Sequence, residues 1–225
     1  MLIIIQARMS SKRLRGKVLK MINNKALLQR VFESVNKCKN VSKIVVATST
    51  NREDKKIVNF CKKKKINYFM GDLNNVMKRF LEVLKRYDSK YFVRICADSP
   101  FIDTQLLSNS IKIAKSKNFD IVTNLLPRSF PKGQSIEIFK TSTFKKYYSK
   151  IKSKNDLEHV APFFYRNKDK FRIKNILYKK NLSNLNLSVD TYADIKFARK
   201  VSRIIDNKFK SKYTLDNLLK ILEKR

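Results

Sequence analysis

A chain of 225 residues is long enough for one well-packed α/β domain and short for two. Hydrophobic residues make up 43% of it, a globular share that excludes wholesale disorder, and no apolar run approaches the roughly 20 residues needed to span a bilayer. Lys and Arg number 52 against 18 Asp and Glu, a net charge of +34.

That charge points towards nucleic acid, but its distribution does not. Lysine outnumbers arginine and is scattered along the chain, as at Lys62 to Lys65, Lys145-Lys146 and Lys179-Lys180. A specific reader of nucleic acid concentrates Arg and aromatics on one face. The expectation is therefore no specific nucleic-acid partner, with non-specific polyanion binding at low salt. Leu2 to Ile5 is too short for a signal segment and has no basic stretch before it, so the expected location is cytoplasmic. Cys38, Cys61 and Cys96 are odd in number and far apart, which fits neither a disulfide framework nor a zinc site.

Met1 to Ile5 reads as a buried strand. A polar loop follows with Gln6, Ala7, Arg8, Ser10, Ser11, Lys12, Arg13, Arg15, Gly16 and Lys17. It sits at the carboxyl end of a strand, where open α/β sheets bind ligands. Five cations this close repel one another unless an anion or bulk solvent lies between them. The loop is either a triphosphate cradle built from side-chain charge or a solvated basic loop.

Apolar spacing predicts a helix over 25–38 through Leu27, Leu28, Val31, Phe32 and Val35. Lys43 to Thr48 is the second strand, and Ser49 to Asn51 an N-cap region for a helix to about Lys62. A third strand covers Ile66 to Met70, a helix runs from about Asn74 to Tyr87, and Tyr91 to Cys96 is the fourth strand. Asp103 opens a helix to about Lys117, and Asp120 to Thr123 is strand-like. This alternation predicts a largely parallel, doubly wound sheet with its strand ends along one rim. Beyond the loop marked by Pro127, Pro131 and Gly133, Ser135 to Phe139 reads as a strand. Asn155 to Tyr165 and Thr191 to about Ile205 read as helices, and Thr214 caps a terminal amphipathic helix.

Only three glycines, at 16, 71 and 133, exclude the dinucleotide fingerprint and the P-loop. A bound nucleotide must then be held by cations and loop amides. Arg8 and Arg13 offer forked contacts to phosphate, and Lys17 a point charge. Asp98, directly after a strand and before Ser99-Pro100, is either a ligand for a hard divalent cation or a turn cap. Asp190, between a strand-like Leu187 to Val189 and a helix start, is either a second ligand or an N-cap, and Asp194 could share either job. His159 is the sole histidine, and no serine or cysteine is placed by sequence as its partner, which disfavours a triad.

The run Ile5-Gln6-Ala7-Arg8, Ser10-Ser11, Arg13-Leu14 and Gly16-Lys17-Val18-Leu19 resembles the opening signature of sugar-activating cytidylyltransferases. Within them it is similar to the spore-coat-polysaccharide branch, with acylneuraminate and deoxy-octulosonate cytidylyltransferases more distant. One departure is Arg15, where the family has proline. Arg94 to Pro100, with Ile102-Asp103, resembles the family's second motif, whose Asp holds the catalytic metal. Val189-Asp190-Thr191 is similar to the segment that supplies a second metal ligand. Asn124 to Gly133 followed by Glu137, and Glu158-His159-Val160 with Pro162 and Tyr165-Arg166-Asn167, also resemble family segments. Ser135 departs from the family's usual Asp. The likeness runs to about Lys200.

The resemblance implies a Rossmann-like three-layer nucleotide-diphospho-sugar transferase fold with a mainly parallel mixed sheet. It implies one nucleotidyltransferase domain over residues 1–225, with a nucleotide-binding half to about 125 and an acceptor-side half beyond. It carries nucleotide contacts to Gln6, Ala7, Arg8, Ser10, Arg13, Lys17 and Asp98, and catalytic roles to Arg8, Arg13, Lys17 and Asp98. Metal ligation by Asp98 and Asp190 follows, with Arg128, Lys132, Glu137 and His159 near the acceptor. The implied activity is Mg²⁺-dependent: CTP activates a sugar or sugar acid for surface polysaccharide, and pyrophosphate leaves. A homodimer is compatible with the analogy. Two alternatives stay open: a glycosyltransferase using a nucleotide-sugar on the same fold, and a non-enzymatic polyanion-binding protein.

Overall fold

The computed structural model describes residues 1–11, 13–210 and 212–223; Lys12, one of the loop cations, lies outside them. In chain order the elements are β1 (Leu2–Gln6), β2 (Met21–Ile22), β3 (Lys25–Ala26), α1 (Leu27–Asn36), β4 (Lys43–Ser49), α2 (Lys55–Lys63) and β5 (Tyr68–Gly71). Then come α3 (Val76–Arg86), β6 (Tyr91–Cys96), α4 (Thr104–Ser116), β7 (Ile121–Thr123), β8 (Glu137–Lys140) and α5 (Thr141–Tyr148). The chain continues through α6 (Lys154–His159), α7 (Pro162–Arg166), β9 (Ile173–Asn175), α8 (Tyr192–Lys208) and α9 (Leu215–Leu222).

Seven strands form one sheet in the order β5-β4-β1-β6-β8-β7-β9. β1 pairs in parallel with both β4 and β6, and β8 is antiparallel to its neighbours β6 and β7. β1 shows why the sheet is central. Its side chains alternate, Ile3 and Ile5 to one face and Leu2 and Ile4 to the other, and all four are at most 1% exposed. The first face packs on α1, α2 and α4 through residues such as Leu28, Val31, Ile57, Leu107 and Ile111. The second packs on α3, α5 and α7 through Phe80, Phe144 and Phe164. This gives the expected three layers. A third apolar cluster gathers α8 and α9 with Leu14, Leu187 and Val189, so the C-terminal helices brace the polar loop and the segment before Asp190.

From β1 the chain moves outward to β4 and β5, then returns to β6 on β1's other side. The order of strands therefore reverses between β1 and β6, the crevice where sheets of this kind hold ligands. Because β8 runs backwards, its first residue, Glu137, lies at the same rim, in register with Arg94 and Thr123.

Caps fall where short polar side chains allow. Asn75 caps α3, Thr214 caps α9, and Asp103 accepts from the Gln105 and Leu106 amides while also taking Leu215 N–H at the start of α9. The third strand begins two residues later than expected, at Tyr68. The helix expected over 155–165 is two short helices, α6 and α7, because Val160 takes a left-handed φ of 71°. The β2–β3 hairpin, α5 and β9 have no counterpart in the sequence reading.

Candidate active site

The loop after β1 is shaped by its own backbone. Met9 O accepts from Ser11 N–H and from Gly16 N–H, each at 2.9 Å, and Gly16 supplies the left-handed turn at φ 69°. Asp54, 1% exposed, fastens the loop to the end of β4: it accepts from Met9 N–H at 2.6 Å and from Ser49 N–H at 3.2 Å. Arg15, in the place of the family's proline, is exposed and pairs with Glu53. Leu14 and Val18 are buried, so Lys17 between them is carried on an anchored turn.

Lys17 points back into the crevice. Its ammonium donates to Asp98 Oδ2 and to Asp190 Oδ1, both at 2.8 Å, and Arg13 Nη2 stands 2.8 Å from Asp190 Oδ2. The two carboxylates come 92 positions apart in sequence (190 − 98). Backbone pairing joins them: Val189 N–H donates to the Asp98 carbonyl at 2.9 Å, and Leu187 N–H to the Lys132 carbonyl at 2.8 Å. Neither aspartate is a cap. Thr191 caps α8, and Asp194 completes the capping box while also accepting from the Asp190 N–H.

Charge explains the cluster's state. Burial alone would lower the Lys17 pKa, but Asp98 and Asp190 outweigh it and hold the ammonium above its usual value. Burial alone would raise Asp190, but the Lys17 hydrogen bond and charge, with the Arg13 charge, hold it below the usual carboxylate range. A carboxylate depressed in the folded state stabilises fully above its unfolded pKa, about 3.9, and loses that contribution as pH falls through the lower folded value. Lys17 is the mirror case: its contribution is full below about 10.4 and is lost as pH rises through its raised value. At neutral pH the cluster is at full strength. Below about pH 4, the melting temperature of the wild type should therefore fall more steeply than that of Asp190→Asn, the two curves converging in acid. Parallel curves from pH 7 to pH 3 would contradict this assignment.

The other expected residues divide. Gln6 Oε1 accepts from Arg94 Nε at 3.2 Å, Ala7 is buried and Ser10 is exposed. Arg8 Nη2 is 2.9 Å from Glu158 Oε1, on α6. Glu137 is 3% exposed and both its oxygens are engaged, one by Arg94 and one by the Tyr165 hydroxyl at 2.8 Å. It is thus a buried anchor rather than a free carboxylate for a sugar. Burial, with Glu137's charge, raises Tyr165 well above the ordinary phenol, so it stays a neutral donor. Among the described residues Arg128 donates to neutral oxygens, Pro131 O at 3.4 Å and Ser135 Oγ at 3.2 Å. Lys132 is exposed, and its backbone, not its side chain, ties the segment that leads to Asp190. His159 is exposed at the end of α6; its neighbour Glu158 is the residue that reaches the loop.

Four further residues matter here: Asp54 and Arg79 carry no local signal, and Arg94 and Glu158 lie inside family-like segments without being singled out as site residues. Arg79 is fully buried beneath Gly71, its pKa pushed down to about 10 by burial, and its Nε and Nη2 find no hydrogen-bond partner among the described residues. A search for charges on the apolar faces of amphipathic elements is the signal that could have found Arg79. Cys96, beside the crevice, is pushed up to about 11 by burial and stays a thiol, and all three cysteines are free.

Among the described residues no helix is long and apolar enough to cross a membrane. A protein of Methanocaldococcus jannaschii of uncharacterized function is 31% identical over 205 residues, 90% of this chain and 83% of that protein. The spore coat polysaccharide biosynthesis protein SpsF of Bacillus subtilis is 36% identical over 115 residues, spanning 49% of this chain and about half, 48%, of SpsF. The structure of a cytidylyltransferase from Leptospira borgpetersenii superposes with a TM-score of 0.91 at 27% identity, over 99% of this chain and 93% of that one. The profile of the cytidylyltransferase family matches residues 2–225. With a nucleotidyltransferase fold, a match over nearly its whole length and charged side chains gathered at the β1/β6 crevice, this chain belongs to the cytidylyltransferase family and is a nucleotidyltransferase enzyme.

Proposed function

We propose that this enzyme uses CTP to activate a sugar or sugar acid, with Mg²⁺ as cofactor, for surface polysaccharide. The sugar hydroxyl attacks the α-phosphorus in line, the new O–P bond forms as the bond to the β-phosphate oxygen breaks, and pyrophosphate leaves. The hydroxyl proton passes to solvent. Chemistry of this kind depends on positioning and charge neutralisation and needs no covalent nucleophile.

The observation that carries the reading is the convergence of Asp98 and Asp190 on one cation. Their oxygens each lie 2.8 Å from the same nitrogen and so are no more than twice that distance apart. Two hard oxygen donors suit Mg²⁺, which keeps waters and takes its other ligands from phosphates. Asp98 and Asp190 would hold the ion, which when bound neutralises phosphate charge. Lys17 and Arg13, exchanged from carboxylate to phosphate, hold the triphosphate with Arg8 and stabilise the departing pyrophosphate. Gln6, Ala7 and Ser10 line the nucleotide side. On the acceptor side, Arg128 has no carboxylate partner among its hydrogen bonds, which suits an anionic group on a sugar acid. The likeness to SpsF supports the polysaccharide role.

A thermal-shift series with the four ribonucleoside triphosphates, with and without Mg²⁺, tests the donor. At a hundredfold excess over Kd, selective CTP binding should add about 2.7 kcal/mol, roughly 5–10 °C for a chain this size. Equal shifts from all four triphosphates, or shifts indifferent to Mg²⁺, would overturn the reading.

A further inference from the structure

Gln6 and Arg8 stand two residues apart at the end of β1, and a circuit of side chains joins them through the acceptor side. Gln6 accepts from Arg94, Arg94 pairs with Glu137, and Glu137 accepts from Tyr165 on α7, whose hydroxyl also meets Thr123 Oγ1 at 2.9 Å. The circuit returns through α6, where Glu158 accepts from Arg8 at 2.9 Å.

The joint between α6 and α7 is strained. Val160 has φ 71° and ψ −59°, and the Ala161 N–H reaches back to the His159 carbonyl at 2.8 Å, the geometry of the rare positive-φ γ-turn. A β-branched residue there is an outlier that persists only when its surroundings over-determine it. They do so here. Val160 and Phe164 are fully buried, Pro162 opens α7, and Arg166 Nη2 crosses the turn to Asp156 Oδ2 at 2.6 Å. The Arg8–Glu158 pair is different: both side chains are about a third exposed (35% and 36%), and such pairs contribute little to stability. The fold thus maintains a strained turn whose one end reaches the phosphate loop through a contact the fold itself does not need.

We propose that Glu158 is a positioning residue for Arg8. It takes one guanidinium nitrogen and leaves the remaining N–H donors for phosphate oxygens, while the braced turn ties that pose to the Tyr165–Glu137 wall of the acceptor side. One strap then sets both halves of the site. The inference rests on the nucleotidyl-transfer reading for its ligand, Mg²⁺–CTP.

Affinity for Mg²⁺–CTP by thermal shift, together with KM and kcat for pyrophosphate release, should be measured for wild type, E158A, E158Q, R8A and R8A/E158A. E158A should weaken nucleotide affinity and raise KM about tenfold with a smaller change in kcat, and E158Q, which can still accept from Arg8, should recover part of that loss. R8A/E158A should be no weaker than R8A, since Glu158 acts through Arg8. Ligand-free melting temperatures should stay close to that of the wild type. If Glu158 instead competes with phosphate for Arg8, E158A binds CTP more tightly, and the inference fails. It fails as well if E158A costs as much on the R8A background as alone. A wild type that CTP does not stabilise would overturn the functional reading, and the inference with it; normal wild-type binding with unchanged E158A would overturn the inference alone.

Discussion

Asp98→Asn should cut turnover by about a hundred- to a thousandfold while leaving the fold standing. The substitution keeps the side chain's shape and an oxygen that can accept from Lys17, which lies 2.8 Å from Asp98 Oδ2. The bond that aligns the second aspartate runs from Val189 N–H to the Asp98 carbonyl, and main chain is untouched by the change. What disappears is one negative charge where two are proposed to hold the metal. Lys17 keeps Asp190, so the stability change should stay near that of a partly exposed ion pair, about 1 kcal/mol or less. Asp190→Asn should behave alike, and the double variant should be little worse than either, because two ligands of one ion act as a unit. Pyrophosphate release with CTP and candidate sugars measures the loss, and thermal denaturation measures the fold. Turnover within about twofold of wild type would remove Asp98 from the chemistry.

The contrast between what the sequence discloses and what it hides follows the range of the interactions. β1, β4 and β6 are legible because Leu2 to Ile5, Ile44 to Ala47 and Tyr91 to Val93 are apolar runs buried on both faces of a sheet. Asp103 is legible as a cap because its partners are two and three residues away. The loop cations and Asp98 follow β1 and β6 directly, so their meeting follows from topology once the strand ends share a rim; Asp190 does not, because Leu187 to Val189, strand-like in sequence, forms no strand and is held at the rim by main-chain bonds to Asp98 and Lys132. Other features arise only in three dimensions. Two-residue strands such as β2 and β3 carry no periodicity to read. Helical spacing over Asn155 to Tyr165 hides the break that Pro162 imposes, since proline has no N–H for the ladder and opens α7; the positive φ at Val160 opposes local preference, and tertiary burial decides it. Arg8 and Glu158 are 150 positions apart, and neither residue's neighbours announce the pair. The partner of Glu137 is hidden as well, because Arg94 sits within an otherwise apolar strand and 43 positions away.

Gly133→Ala should be among the most damaging single substitutions in the chain, costing about 2–4 kcal/mol and lowering turnover of the surviving folded protein about a hundredfold. Gly133 has φ 87°, where a side chain is strained whatever the space around it. Space is also absent: a Cβ there would lie 2.6 Å from the Leu187 carbonyl carbon and 2.7 Å from Ser188 N. Both are main-chain atoms and cannot swing aside as a side-chain tip would. The displaced segment is the one that leads to Asp190, fixed by Leu187 N–H on the Lys132 carbonyl and Val189 N–H on the Asp98 carbonyl. Moving it by even a fraction of the overlap pulls Asp190 from Lys17 and opens the pair of carboxylates. Gly16→Ala is the control: its φ of 69° brings similar backbone strain, but the new methyl would meet only the flexible end of Met9, Cε at 3.0 Å. It should cost about 1 kcal/mol. Urea denaturation of both variants, with pyrophosphate release assayed under folded conditions, separates the two effects. A Gly133→Ala protein as stable and as active as Gly16→Ala would mean that the 187–190 segment does not hold Asp190 in the way described.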